Sequence, residues 1–117
     1  MSINSFGTYL EKAKELKVGL MTFLGGEPMI WKPLFEALSL CTERHVMTDM
    51  TTNGTLLTES TVENLGKSGL DYLNISVDGV KATGVTSKTS IFRPGLMDSL
   101  KEARKKYHMH TRINSVI

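Results

Sequence analysis

Apolar positions recur along the chain in two periods. Four short segments are continuously apolar or alternate between apolar and polar residues, which is typical of β-strands. They cover residues 18–24, 46–53, 72–78 and 110–117. Four longer segments place apolar residues three and four positions apart, which is typical of amphipathic helices. They cover residues 5–16, 33–43, 58–67 and 94–107. The chain is therefore predicted to fold in the order α-β-α-β-α-β-α-β.

The predicted helices carry signals at their ends. Ser2, Asn4 and Ser5 are candidate caps for the first helix, because their side-chain oxygens can accept from free N–H groups. Pro33 suits a first helical turn, and Thr58 opens a cap region before the third helix. These signals support the boundaries that the periodicity predicts.

Strands that alternate with helices indicate parallel strands joined by right-handed crossovers, the α/β class. No linker-like composition divides the chain, so residues 1–117 are predicted to be one domain. We expect the first and last strands to lie at the edges of the sheet. Because exposed strand edges favour pairing with another chain, self-association, with a dimer as the commonest form, is predicted.

Composition narrows the classes of function. Apolar residues make up 40% of the chain and charged residues 22%, as in an ordinary globular protein. The net charge is only +2, and a basic cluster at residues 101–106 is interpreted as a solvated helix face rather than a nucleic-acid site. No segment is long and apolar enough to span a membrane, and a cytoplasmic location is the default expectation. Metal-ligand spacing of His, Cys and carboxylates is absent from the sequence.

Candidate chemistry gathers where the predicted strands end. The first strand is followed by Gly25-Gly26-Glu27-Pro28, the second ends in an Asn53-Gly54 pair, and the third ends in Asp78-Gly79. In parallel α/β folds, ligands bind at the carboxyl ends of the strands. Paired glycines allow close backbone approach, and the Glu27 carboxylate favours an ammonium or hydroxyl group over an anion. Asn-Gly and Asp-Gly are also ordinary turn dipeptides, so a purely structural role is the alternative.

Three of the predicted strands are polar along one face. The polar residues occupy every second position, which places them on the same side of a strand. This arrangement predicts a wet, ligand-binding surface rather than an aliphatic one. The residues are Asp49, Thr51 and Asn53 on the second strand, Asn74, Ser76 and Asp78 on the third, and Arg112 and Asn114 on the fourth.

Three blocks occur together in one order: FLGGEP at residues 23–28, TNGTLL at residues 52–57 and LDYLNISVDG at residues 70–79. In identity, order and approximate spacing they resemble the radical S-adenosylmethionine (radical SAM) superfamily. The resemblance implies parallel βα repeats that form the central part of a TIM-like (β/α)6 barrel, truncated at both ends. It also implies SAM as a cofactor.

The resemblance implies roles for residues at the strand ends. The loop from Gly25 to Pro28 would face the methionyl amine of SAM, with backbone groups and Glu27 as acceptors. The other implied cofactor-binding residues, around the SAM ribose, carboxylate and adenine, are Asn53, Ser76, Asp78, Arg93, Asn114 and Val116.

The sequence departs from the family at the iron–sulphur cluster. Members of the family hold a [4Fe–4S] cluster with a C-x-x-x-C-x-x-C motif, whereas this chain has Cys41 alone, on the apolar stripe of a predicted helix. We therefore expect this chain to contain no catalytic or metal-binding residues. We expect it to be a piece of a radical SAM enzyme core that is inactive by itself. The intact parent would use SAM and a cluster, in peptide or protein modification by analogy. The alternative is a non-catalytic α/β module that binds SAM or another nucleoside.

Overall fold

The computed structural model describes residues 1–78 and 94–116 of the protein. Within these ranges, helices and strands alternate in the predicted order. The predicted first two strands are shorter in the structure, and the third and fourth helices begin or end within a residue of their predicted bounds. The elements are α1 (Ile3–Glu15), β1 (Leu20–Phe23), a short 3-10 helix (Pro28–Ile30), α2 (Leu34–Glu43), β2 (Met47–Thr52), α3 (Glu59–Lys67), β3 (Tyr72–Asp78), α4 (Pro94–Tyr107) and β4 (His110–Val116).

The helix ends follow from local side-chain chemistry. The Ser2 side chain accepts a hydrogen bond from the Ser5 backbone N–H, so Ser2 caps α1. Thr58 caps α3 in a reciprocal capping box with Thr61. Gly69 follows α3 with φ of +94°, a left-handed conformation that glycine adopts readily. The predicted caps are thus confirmed for both helices.

The four strands form one parallel sheet in the order β1-β2-β3-β4. Leu20 pairs with Met47, Asp49 with Tyr72, and Tyr72 with His110, so the register is continuous across the sheet. Among the described residues, β1 and β4 are the edge strands, as the sequence predicted. The α/β class with parallel βα repeats is confirmed.

The core lies between one face of the sheet and the helices. Met50, Leu73 and Ile75 are fully buried on that face and pack against apolar residues of α2, α3 and α4. A second cluster joins Phe6 and Leu10 of α1 to α2. Side chains at alternate strand positions point to the opposite face. That second face carries the polar residues and forms the wall of the candidate site.

Candidate functional site

The carboxyl ends of β1 and β2 lie side by side, because these strands are parallel neighbours. The loop after β1 contains Gly25, whose φ of +96° demands glycine or a strained residue. A Cβ atom built on either Gly25 or Gly26 would meet no other atom within 4 Å. The two glycines therefore border open space at the end of the sheet.

Glu27 connects this loop to the end of β2. Its Oε1 accepts from the Asn53 N–H at 2.9 Å, and its Oε2 accepts from the Thr52 hydroxyl at 2.6 Å and the Met29 N–H at 3.0 Å. The Met29 contact also caps the 3-10 helix that begins at Pro28, which is buried. Both carboxylate oxygens thus have partners inside the chain. The predicted contact between Glu27 and an amine of SAM stays a prediction, and the observed role is to tie two strand ends together.

The Asn53 side chain organises the turn after β2. Its Oδ1 accepts from the Thr55 backbone N–H at 2.9 Å and from the Thr55 hydroxyl at 2.8 Å. This contact is an Asx-turn, and Gly54 follows with φ of +83°. Asn53 is exposed at the same end of the sheet as the glycine loop. The structural alternative for this residue therefore describes its observed contacts, and a role toward a ligand stays a prediction.

The polar face predicted from alternation is present and internally connected. The Asp49 carboxylate accepts from the Asn74 amide and, at 3.2 Å, from an Arg112 Nη atom. Arg112 lies over the ring of Tyr72, with its Cζ 4.8 Å from the ring centroid. Three neighbouring strands thus contribute to one network on the face opposite the helices.

Other predicted site residues lie at or near this face. Ser76 on β3 pairs in register with Asn114 on β4. This pair lies two residues nearer the carboxyl ends of the strands than the pair of Asn74 and Arg112. Asp78 and Val116 also pair in register at the ends of β3 and β4. Arg93 lies outside the described residues. The structure therefore brings the glycine loop, Asn53, Ser76 and Asn114 to one end of the sheet, and their binding roles stay predictions.

Sequence reasoning missed Thr52. It lies on the apolar face of β2, is 1% exposed, and its hydroxyl both donates to Glu27 and accepts from the Gly54 N–H at 3.2 Å. A hydroxyl on the core face of a strand, next to an Asn-Gly pair, was the available signal. Its partner lies 25 residues away, which no local pattern specifies.

Cys41 is a residue of α2 and packs in the apolar cluster that joins α2 to α1. It is fully buried, and burial raises the pKa of its thiol to about 11. A single protonated thiol inside a helix pair does not fit an iron–sulphur cluster, which needs several thiolates at an accessible loop. In the part of the chain that the structure describes, no group of three or more His, Cys, Asp or Glu residues is placed to hold a metal ion.

The comparisons with known proteins agree with this geometry. The sequence profile of the radical SAM superfamily matches residues 2–115, almost the whole chain. The chain belongs to the radical SAM superfamily. This membership confirms the family that the three sequence blocks indicated, and it accounts for the parallel sheet with a glycine loop after one strand.

Curated radical SAM relatives match over part of the chain. PqqA peptide cyclase from Granulibacter bethesdensis is 41% identical over 61% of this chain, and GTP 3',8-cyclase from Clostridium botulinum is 39% identical over 62%. The matched regions cover 19% and 23% of those proteins. The chain therefore corresponds to only a small share of the relatives' length.

Solved radical SAM structures have the same fold. SuiB of Streptococcus suis bound to S-adenosylmethionine superposes with a TM-score of 0.65 and 29% identity, over 92% of this chain and 25% of that one. BtrN in complex with AdoMet and 2-DOIA gives a TM-score of 0.73 at 24% identity, over 98% of this chain and 44% of that one. The BtrN likeness, at this identity, supports the fold alone.

Across the described ranges, the helices are too short or too polar to cross a membrane.

Proposed function

We propose that this chain forms the SAM-binding part of a radical SAM enzyme core. The observation that carries the proposal is the open space beside Gly25 and Gly26, at the sheet end where Asn53, Ser76 and Asn114 also lie. Paired glycines with free space beside them let a ligand contact the backbone, and the nearby amides and hydroxyl offer hydrogen bonds. The family membership and the SAM-bound neighbour SuiB support SAM as that ligand.

The proposed division of roles follows from the contacts. Glu27 holds the glycine loop against β2 through Asn53 and Thr52, so that the loop keeps one shape when the ligand arrives. Ser76 on β3 would contact the ribose, and Asn114 on β4 would lie on the adenine side. Preorganised polar groups lower the entropy cost of binding, which is why a rigid loop matters for affinity.

We propose that the chain alone binds SAM without cleaving it. In an intact radical SAM enzyme the iron–sulphur cluster supplies the electron for SAM cleavage. The Cys41 thiol cannot supply the ligand set, because it is single, buried and protonated. A parent that modifies a peptide is supported by the matched PqqA peptide cyclase, and a purely binding module is the alternative. The cytoplasmic location inferred from the sequence remains a prediction.

We also propose that the chain self-associates through its sheet edges. An apolar groove of about 590 Å³ runs between α1 and the edge of β1 that no other described strand pairs with, lined by Phe6, Tyr9, Leu16 and Met21 among others. Unpaired backbone groups beside an apolar groove favour association with a further strand.

Isothermal titration with SAM tests the binding proposal. Gly26→Val fills the open space beside the loop, and we expect it to weaken SAM binding by about tenfold or more, on the scale of one lost charge-assisted contact. Gly19→Val is the matched control, because Gly19 also borders open space but precedes β1, at the other end of the strand. Its affinity should change less than about twofold. Equal SAM affinities for both variants, or no SAM binding to the unmodified chain, would contradict the proposal.

A further inference from the structure

Arg112 differs from an ordinary surface arginine in how it is held. It lies on the face of the sheet that the described helices leave open, and 55% of its side chain is exposed. Its guanidinium stacks over the Tyr72 ring, which itself lies 5.3 Å from the His110 ring. Stacking and an ion pair with Asp49 together restrict the guanidinium to one position.

The ion pair with Asp49 engages few of the N–H donors of the Arg112 guanidinium. One Nη atom contacts Asp49 at 3.2 Å, and the second Asp49 oxygen accepts from Asn74. Among the side chains that the structure describes, Asp49 is the one that accepts from Arg112. A guanidinium carries five N–H donors, and a structural arginine–carboxylate pair commonly uses two of them in a fork. Several of the Arg112 donors therefore have no side-chain acceptor in the part of the chain that the structure describes.

Asp49 and Asn74 are more buried than Arg112, which donates to Asp49 from the exposed side of the network. The Asp49 side chain is 15% exposed and Asn74 is 6% exposed. Burying a carboxylate costs free energy, and a pair that is open on one side returns little stability. The arrangement makes better sense as a support that orients the arginine than as a stabilising ion pair.

The residues beyond Arg112 lead toward the proposed SAM site. Ser76 and Asn114 pair in register one step nearer the carboxyl ends of the strands. Ser76 is partly exposed and Asn114 is exposed on the same open face. Arg112 therefore lies next to the residues proposed to contact SAM, where a planar cation can donate to an oxyanion of a second ligand.

We propose that Arg112 is an anion-binding residue, and that it receives a carboxylate or phosphate group of the molecule on which the parent enzyme acts. The assignment to a substrate rests on the proposed function, whereas the anion site does not. Asp49 and Tyr72 act as positioning residues for the guanidinium. The substrate class that this site selects is an acidic small molecule or an acidic residue of a peptide.

Nitrogen–proton NMR of the arginine Nε–Hε groups tests the site in the unmodified chain. Inorganic pyrophosphate is titrated at constant ionic strength, with sodium chloride as the compensating salt. Arg44 is the internal control, because it is also about half exposed (48%) and is paired with one carboxylate, that of Glu11. We expect a saturable shift of the Arg112 resonance and only a small linear drift for Arg44.

Variants give an independent readout through backbone amide shifts near Asn114. Arg112→Gln should weaken pyrophosphate binding by about tenfold or more, since it removes charge-assisted hydrogen bonds. Arg112→Lys should retain part of the affinity, because it keeps the charge but loses the planar fork. Arg44→Gln should change the affinity by less than about twofold.

Two results would overturn the proposal. If Arg112 drifts with Arg44 and neither resonance saturates, no anion site exists at this face. If added SAM displaces pyrophosphate from Arg112, the site belongs to the carboxylate of SAM and is not a substrate site. A saturable Arg112 shift in a chain that does not bind SAM would leave the anion site standing while the proposed function fails.

Discussion

Replacing Glu27 by alanine is expected to loosen the junction between the glycine loop and β2. The change deletes three hydrogen bonds at once, from the Met29 N–H, the Asn53 N–H and the Thr52 hydroxyl. The two backbone donors lie in the 3-10 helix, at the partly buried Met29, and in the exposed turn after β2, where water can replace the carboxylate. The Thr52 hydroxyl cannot do so readily, because Thr52 is 1% exposed.

The size of the effect follows from these surroundings. A buried donor left without a partner costs about 1–3 kcal/mol, and exposed donors cost less. We therefore expect Glu27→Ala to lower the free energy of unfolding by about 2–3 kcal/mol. Glu27→Gln keeps the shape but replaces one acceptor oxygen with an NH₂ group, so a loss of about 1 kcal/mol is expected.

Urea unfolding followed by Trp31 fluorescence and far-ultraviolet circular dichroism measures these losses. Trp31 is a suitable probe because it is the single tryptophan and its ring lies 5.9 Å from the Phe6 ring in the core. Glu43→Ala, at the exposed end of α2, is the control, with an expected change within about 0.5 kcal/mol. If Glu27→Ala destabilises no more than Glu43→Ala, the junction contributes nothing, and the direct role of Glu27 toward a ligand becomes the better explanation. Titration of the Glu27→Ala variant with SAM, with the affinity calculated for the folded fraction, then separates the structural role of Glu27 from its role toward the ligand.

Four further outcomes are expected. Because burial raises the pKa of the Cys41 thiol to about 11, a disulfide reagent at pH 8 should modify it only on unfolding, and rapid modification of the native protein would contradict its burial. Gly69→Ala should destabilise by more than about 2 kcal/mol, since φ is +94° and a Cβ would collide with a threonine side chain, whereas Gly19→Ala should be nearly neutral in the same urea assay. The Tyr107 hydroxyl donates to Glu63 and, with Lys106, holds the pKa of that carboxyl below its usual range. The small stability difference between the unmodified chain and Tyr107→Phe should therefore be fully present above the ordinary pKa of a glutamate and disappear as the pH falls through the lowered pKa, and a pH-independent difference would refute the linkage. Sedimentation velocity over a concentration series should show mass action toward dimers, and a monomer at high concentration would argue against association through the sheet edges.

Much of the fold could be predicted because it depends on local pattern. Alternation along Tyr72–Asp78 predicted both the strand and its two faces, and β3 spans those residues. The apolar spacing in α2 predicted that Cys41 is buried, and it is. The order of strands across the sheet followed from the rule that consecutive parallel strands in α/β folds tend to be neighbours.

The roles of the polar residues depended on the tertiary structure. The residues around Glu27 do not reveal whether its carboxylate faces a ligand or another part of the chain. In the structure it accepts from the N–H of Asn53, which is 26 residues away. The same holds for Arg112, whose partner Asp49 is 63 residues distant. The sequence by itself determined the family, the order of elements and which face of each strand is polar, because those properties arise from spacing and side-chain type. Which groups satisfy one another was decided only when parallel strands brought distant residues into register, since hydrogen bonds depend on position in space and not on position along the chain.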